Sequence, residues 1–110
     1  MSGTQEQKVK ILWLLENIAL NSQQDLISLV TSNILKYIRT ACYYQDQKIR
    51  TEAQWVMATV VKLAEDYPDL QYNLVQQQEL LVMFIDVLKD TRSPPEAVGA
   101  AIQALDCLFS

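Results

Sequence analysis

The chain has 110 residues, half of them apolar, with two glycines and three prolines, which suits a single domain without long linkers. Its net charge of −4 disfavours a nucleic-acid backbone as partner and suits a basic one, and the lack of histidine removes the commonest general base and metal ligand. No apolar run reaches the ~18 residues of a membrane span, because Glu16 and Asn17 break Ile11 to Leu20 and Asp86 stops Leu80 to Ile85.

Helical periodicity runs through almost the whole chain, with capping signals at the breaks. Thr4 to Gln7 forms an S/T-x-x-E/Q capping box that opens a helix through about Leu20. Asn21 and Ser22 end it, and Ser22 to Asp25 starts a short helix to about Val30. Thr31, Ser32 and Asn33 make a corner before a helix from Ile34 to about Tyr43. Asp46 is placed to accept the free amides of a long helix to about Glu65, with Ile49, Ala53, Val56, Met57, Val60 and Leu63 as its apolar stripe. Pro68 then suits the first turn of a short helix ending near Val75, followed by a helix from Gln78 to Lys89. Ser93-Pro94-Pro95-Glu96 reads as a capping box for a last helix ending near Phe109.

The order is one long helix, then short-medium-long twice. Trp13 and Trp55 sit in the first two long helices, 55 − 13 = 42 residues apart. Asp25-Leu26 with Leu29-Val30 is echoed by Asp69-Leu70 with Leu74-Val75, and Ile34-Leu35 by Leu80-Leu81. A period of this length predicts an all-α, armadillo/HEAT-like right-handed solenoid of stacked three-helix repeats. The single domain divides into a leading third helix (5–20) and two repeats (22–66 and 68–109).

The segment Ile11 to Ala19 resembles the W-A-L-x-N-I-A stretch of the third helix in armadillo repeats, particularly of the importin-α type. The S-x-x-D-L-x-x-L-V, N-I-L-x-x-I and D-x-x-I-x-x-E-A-x-W stretches that follow are similar to that family's first, second and next third helices. The resemblance spans about Lys8 to Leu108. It implies a groove, lined by third helices, that holds an extended Lys/Arg-rich peptide such as a nuclear localisation signal, in the cytoplasm, the nucleus or both.

The residues allow that chemistry to be argued. Trp13 and Asn17 lie four apart and share one helical face. A Trp ring gives a flat surface for a Lys or Arg side chain, with a cation–π gain of roughly 0.5–2 kcal/mol. An Asn carboxamide both donates to and accepts from a peptide backbone. With helices ~8–10 Å apart and ~3.3 Å per extended residue, each repeat addresses about three peptide residues. The expected groove residues are Trp13, Asn17, Asn21, Glu52, Trp55 and Thr59.

The array departs from the full pattern. Thr59 stands at the second Asn position, and Gln103 and Cys107 stand at the third Trp and Asn positions. Thr31-Ser32 and Gln76-Gln77 occupy places where the family has glycine, and the basic autoinhibitory arm that binds an importin-β-like carrier has no counterpart. Lys10 and Lys62 are expected near the groove, where they would repel a basic guest. The competing reading of Trp13 and Trp55 is inter-repeat packing, whereas Asn17, mid-helix, calls for a hydrogen-bonding role. Glu65, Asp66 and Asp69 could attract a cation, but helix-terminus stabilisation is the simpler role.

Catalytic, metal and cofactor roles find no support. Two distant cysteines, Cys42 and Cys107, neither complete a four-ligand zinc site nor suggest a disulfide framework, so a reducing compartment is expected. Gly3 and Gly99 are isolated, which leaves no phosphate-cradling loop. The Glu65/Asp66 and Asp86/Asp90 carboxylates have nothing between them to hold a substrate. Scattered Lys and Arg give no basic patch for lipid headgroups. Met1 to Lys10 is too polar for a secretory leader.

A second function class follows from the ends. The first helix carries Ile11, Leu12, Leu14, Leu15 and Ile18, and the chain finishes on Leu108-Phe109. A solenoid needs polar end caps, so apolar ends suggest a fragment of a longer protein, an end-to-end self-associating unit, or a scaffold subunit docked on a larger partner. The first and last of these are favoured.

Overall fold

The computed structural model describes residues 5–109, all-helical and without strands. In chain order the helices are α1 (Gln5–Asn21), α2 (Gln23–Thr31), α3 (Asn33–Ala41), α4 (Gln47–Ala64), α5 (Pro68–Val75), α6 (Gln78–Lys89) and α7 (Pro95–Phe109).

Local chemistry explains most of the boundaries. The Ser22 hydroxyl accepts from the Asp25 amide at 3.1 Å and caps α2. Ser32 accepts from the Ile34 amide at 3.2 Å, which starts α3 one residue earlier than its pattern suggests and places Asn33 inside it. One carboxylate oxygen of Asp46 accepts from the amides of Lys48 and Ile49, at 2.9 and 3.1 Å, and so satisfies two of the orphan donors at the start of α4. Pro68 opens α5. The Thr4 capping box lies outside the described residues. The expected Ser93 cap takes another form: α7 begins at Pro95, and the Ser93 hydroxyl donates back to the Val87 carbonyl at 2.8 Å. With two prolines following, Ser93 secures the loop to the end of α6 rather than capping α7.

The three long helices pack side by side in chain order, α1 on α4 and α4 on α7. Cross-links from α1 give their direction. Gln5 donates to Asp46, Trp13 to Glu52, and Glu16 accepts from Thr59. Both numbers rise together, so α1 and α4 run parallel. Lys8 reaches the Tyr44 hydroxyl at 2.8 Å while lying over its ring, 4.5 Å from the centroid. The thiol of Cys107 points to Glu65 at 3.6 Å, joining the C-terminal ends of α4 and α7.

The shorter helices cover one side of this layer. Helix α2 packs on α1, α3 on α4 and α6 on α7, and α2 also touches α5. Helix α4 is the centre of the core, burying Ala53, Val56, Met57, Val60, Val61 and Ala64. Leu12 of α1 and Phe84 of α6 complete its surroundings. The one buried polar side chain among the described residues, Gln54, donates to the Cys42 carbonyl. Among the described residues every buried polar side-chain atom is satisfied, as a stable interior requires.

Candidate peptide-binding face

The side of α1, α4 and α7 turned away from the short helices carries both tryptophans. Trp13 is 47% exposed and Trp55 51% exposed. Each ring therefore lies half buried against the helices and half open on the surface. The Trp13 indole N–H donates to Glu52 at 3.0 Å, which fixes the ring and places a carboxylate at its edge. A cation lying on this ring would meet that carboxylate as well.

Trp55 forms a ridge between two cavities. One, of about 680 Å³, lies between the start of α4 and the start of α7 and includes Thr51, Glu52, Pro94 and Glu96. The other, of about 460 Å³, lies farther along and includes Leu20, Thr59, Lys62, Glu65, Ala100 and Gln103. Together they divide the face into steps along the helix stack, with an aromatic wall shared by both.

The expected residues divide into two groups. Trp13, Glu52, Trp55 and Thr59 are brought together: Trp13 on Glu52, and Trp55 and Thr59 along one wall. Asn17 is exposed on α1, one turn beyond Trp13. Asn21 is drawn away, because its amide donates to the Asp25 carboxylate at 2.8 Å and pins the α1–α2 corner. Thr59 is also less free than its position suggests. Its hydroxyl lies 3.0 Å from the Trp55 carbonyl and 3.1 Å from Glu16.

Glu16 was not among the expected residues, yet it lies between α1 and α4 beside Thr59. Its spacing of three from Trp13 is the one sequence signal that places it there. At the third position Gln103 is exposed and lines the second cavity, while Cys107 is buried and its thiol faces Glu65. Burial and the neighbouring Glu65 charge raise the Cys107 thiol above its usual value, and burial alone raises Cys42. Both thiols are buried and neither is in a disulfide.

Charge on this face leans acidic. Glu52 and Glu96 oppose Lys48 around the first cavity, and Glu65 and Asp66 oppose Lys62 around the second. Lys10 pairs with Glu6 of its own helix at 3.5 Å. Elsewhere, Asp86 accepts from the Tyr43 hydroxyl at 2.9 Å, and Asp90 accepts from the Arg92 amide and guanidinium. The first contact ties the segment after α3 to α6, and the second is local to the loop after α6. Among the described residues no three His, Cys, Asp or Glu side chains gather as a metal site, and no helix is long and apolar enough to cross a membrane. Comparison with family models, curated proteins and solved structures gives no match.

Proposed function

We propose that this chain is a non-enzymatic, armadillo-like protein-binding module, and that its α1/α4/α7 face holds an extended peptide bearing Lys or Arg. The observation that carries the reading is the pair of half-exposed tryptophans on adjacent parallel helices, each beside a carboxylate. Parallel stacking of α1, α4 and α7, with the shorter helices on the other side, supports a right-handed solenoid of stacked three-helix repeats. In this reading Trp13 and Trp55 receive the aliphatic stems of basic residues, Glu52 and Glu96 meet their charged ends, and Asn17 binds peptide backbone. Thr59 adds a single hydroxyl. A nuclear import adaptor works by this chemistry, and two buried cysteines outside any disulfide suit the reducing cytosol or nucleus.

Calorimetric titration of a Lys/Arg-rich peptide tests it. Wild type should bind weakly, more weakly at high salt, and Trp13→Ala combined with Asn17→Ala should lose at least tenfold in affinity. Equal affinity for both proteins, or no binding at low salt, refutes the reading.

A second reading, a scaffold or assembly subunit, is favoured by a different observation. Leu14 on α1 and Phe109 on α7 are exposed at opposite ends of the helix stack. Sedimentation of the isolated chain tests this second reading: a well-behaved monomer argues against it.

A further inference from the structure

The two cavities beside Trp55 differ in what they can hold. In the first, Glu52 and Glu96 stand beside the indole and Pro94, so a cationic side chain finds an apolar surface for its stem and carboxylates for its charge. The second, of about 460 Å³, has an apolar floor. Ala58 and Ala100 are buried at its base, and Leu20, Leu63 and Trp55 form its walls. That floor reflects a difference between equivalent helices. The 42-residue spacing carries Glu16 of α1 onto Ala58 of α4 (58 − 16 = 42). Between α1 and α4, Glu16 accepts from Thr59 at 3.1 Å and fills the junction with a polar group. Between α4 and α7 the equivalent side chain is a single methyl group, and Ala100 beside it is no larger, so the space stays open.

Charge on the rim of the second cavity does not restore a cation site. Lys62, Glu65 and Asp66 stand there. The Glu65 carboxylate accepts from the Cys107 thiol at 3.6 Å, which leaves Lys62 and Asp66 as opposite charges. A Lys or Arg side chain seated here would meet Lys62 over an apolar floor, where a charge loses water without gaining a dedicated partner. An aliphatic side chain gains from the same floor by leaving water.

We infer, resting on the peptide-binding reading of this face, that its guest is a basic–aliphatic pair and not a uniformly basic run. A Lys or Arg enters the cavity of Glu52 and Glu96, and a large aliphatic side chain enters the cavity floored by Ala58 and Ala100. The backbone sets their spacing. Glu52 and Thr59, one in each cavity wall, are seven residues apart (59 − 52 = 7), roughly 10 Å along α4 at ~1.5 Å per residue. An extended peptide advances ~3.3 Å per residue and sends every second side chain to the same side. The aliphatic residue therefore lies about two or four positions from the basic one, and not three.

Titration of the full chain with peptides that share one Arg and carry Leu, Lys or Gln at one other position tests the proposal. The Trp55 indole N–H signal reports each affinity even when binding is weak. Placed two or four residues from the Arg, in at least one direction, Leu should bind at least about fivefold tighter than Lys or Gln. Placed three residues away, Leu should show no advantage. Leu20→Glu adds a carboxylate to the wall of the second cavity at a position 55% exposed, so it should keep the wild-type circular dichroism spectrum. In that variant the order should reverse, with the Lys peptide tightest. Equal affinities, a Lys peptide that binds tightest to wild type, a Leu advantage that persists at three residues, or an order unchanged by Leu20→Glu overturns the proposal and leaves the groove intact. If no peptide binds, a Lys/Arg-rich one included, the groove reading falls first and takes the proposal with it.

Discussion

Helices α1 and α4 share a register but not a neighbourhood. Trp13 and Trp55 are equivalent and almost equally exposed, so their openness comes from the face they occupy. Leu14 and Val56 are equivalent too, yet one is 61% exposed and the other fully buried. Their difference comes from what packs alongside. Features that agree between equivalent helices come from the face they share, and features that disagree come from what packs alongside.

The largest test of this contrast is energetic. Met57→Ala, in the centre of α4, should lower stability by about 2–5 kcal/mol, as deletion of a buried side chain does. Leu14→Ala should change it by no more than about 0.5 kcal/mol in dilute solution. Urea unfolding measures both, and equal losses would mean that Leu14 is covered in the monomer.

Where the helices agree, the variants should agree. Trp13→Ala and Trp55→Ala each remove roughly half a tryptophan of buried surface, about 1–3 kcal/mol. Denaturant midpoints for the pair should lie close together. If Trp55→Ala cost several times more than Trp13→Ala, the tryptophans would not be equivalent parts of one face.

A smaller effect extends the comparison to α7. A Cβ added at Gly99 meets nothing within 4 Å. Gly99→Ala should therefore raise stability by about 0.5–1 kcal/mol through helix propensity alone, visible as a higher midpoint of thermal unfolding. A loss instead would place a neighbour over this part of α7.

The smallest expected effect is on pH dependence. The Gln5 hydrogen bond, with help from the Ile49 and Lys48 amides, holds the Asp46 carboxyl below its usual value of 3.8. A depressed carboxylate contributes stability above its unfolded pKa and loses it as pH falls through the lower folded value. Burial and the hydrogen bond to Asp86 push Tyr43 up to about 12. Its contribution is complete below pH 10, the usual tyrosine value, and is lost as pH rises toward 12. Asp46→Asn should flatten the acid limb of a stability–pH profile and Tyr43→Phe the alkaline limb. Unchanged limbs would remove Asp46 as an anchor of the α1–α4 contact and Tyr43 as the tie from the segment after α3 to α6.

The helices were legible in the sequence because their signals are local. Ser22, Asp46 and Pro68 act within one turn of the backbone they cap or start, so each marks its helix without knowledge of the fold. Ser93 misled because its hydroxyl has a tertiary choice, the Val87 carbonyl, that no spacing rule encodes. The face was partly legible. Spacing of four joins Trp13 to Asn17 and predicts a common surface, but whether an indole is buried depends on helices far along the chain. Asn21 fits the same spacing and is lost to Asp25, and Glu16 enters only because α4 presents Thr59 to it.

The most direct test of the groove uses the two indole N–H groups as reporters, since Trp13 and Trp55 are the only tryptophans. In a ¹⁵N–¹H spectrum both indole signals stand apart from the backbone amides. Titration with a Lys/Arg-rich peptide at low salt should shift both saturably, with the Trp13 signal also reporting any change in its bond to Glu52. Indole signals that stay fixed while amides elsewhere respond, or that stay fixed throughout, would contradict a peptide site on this face.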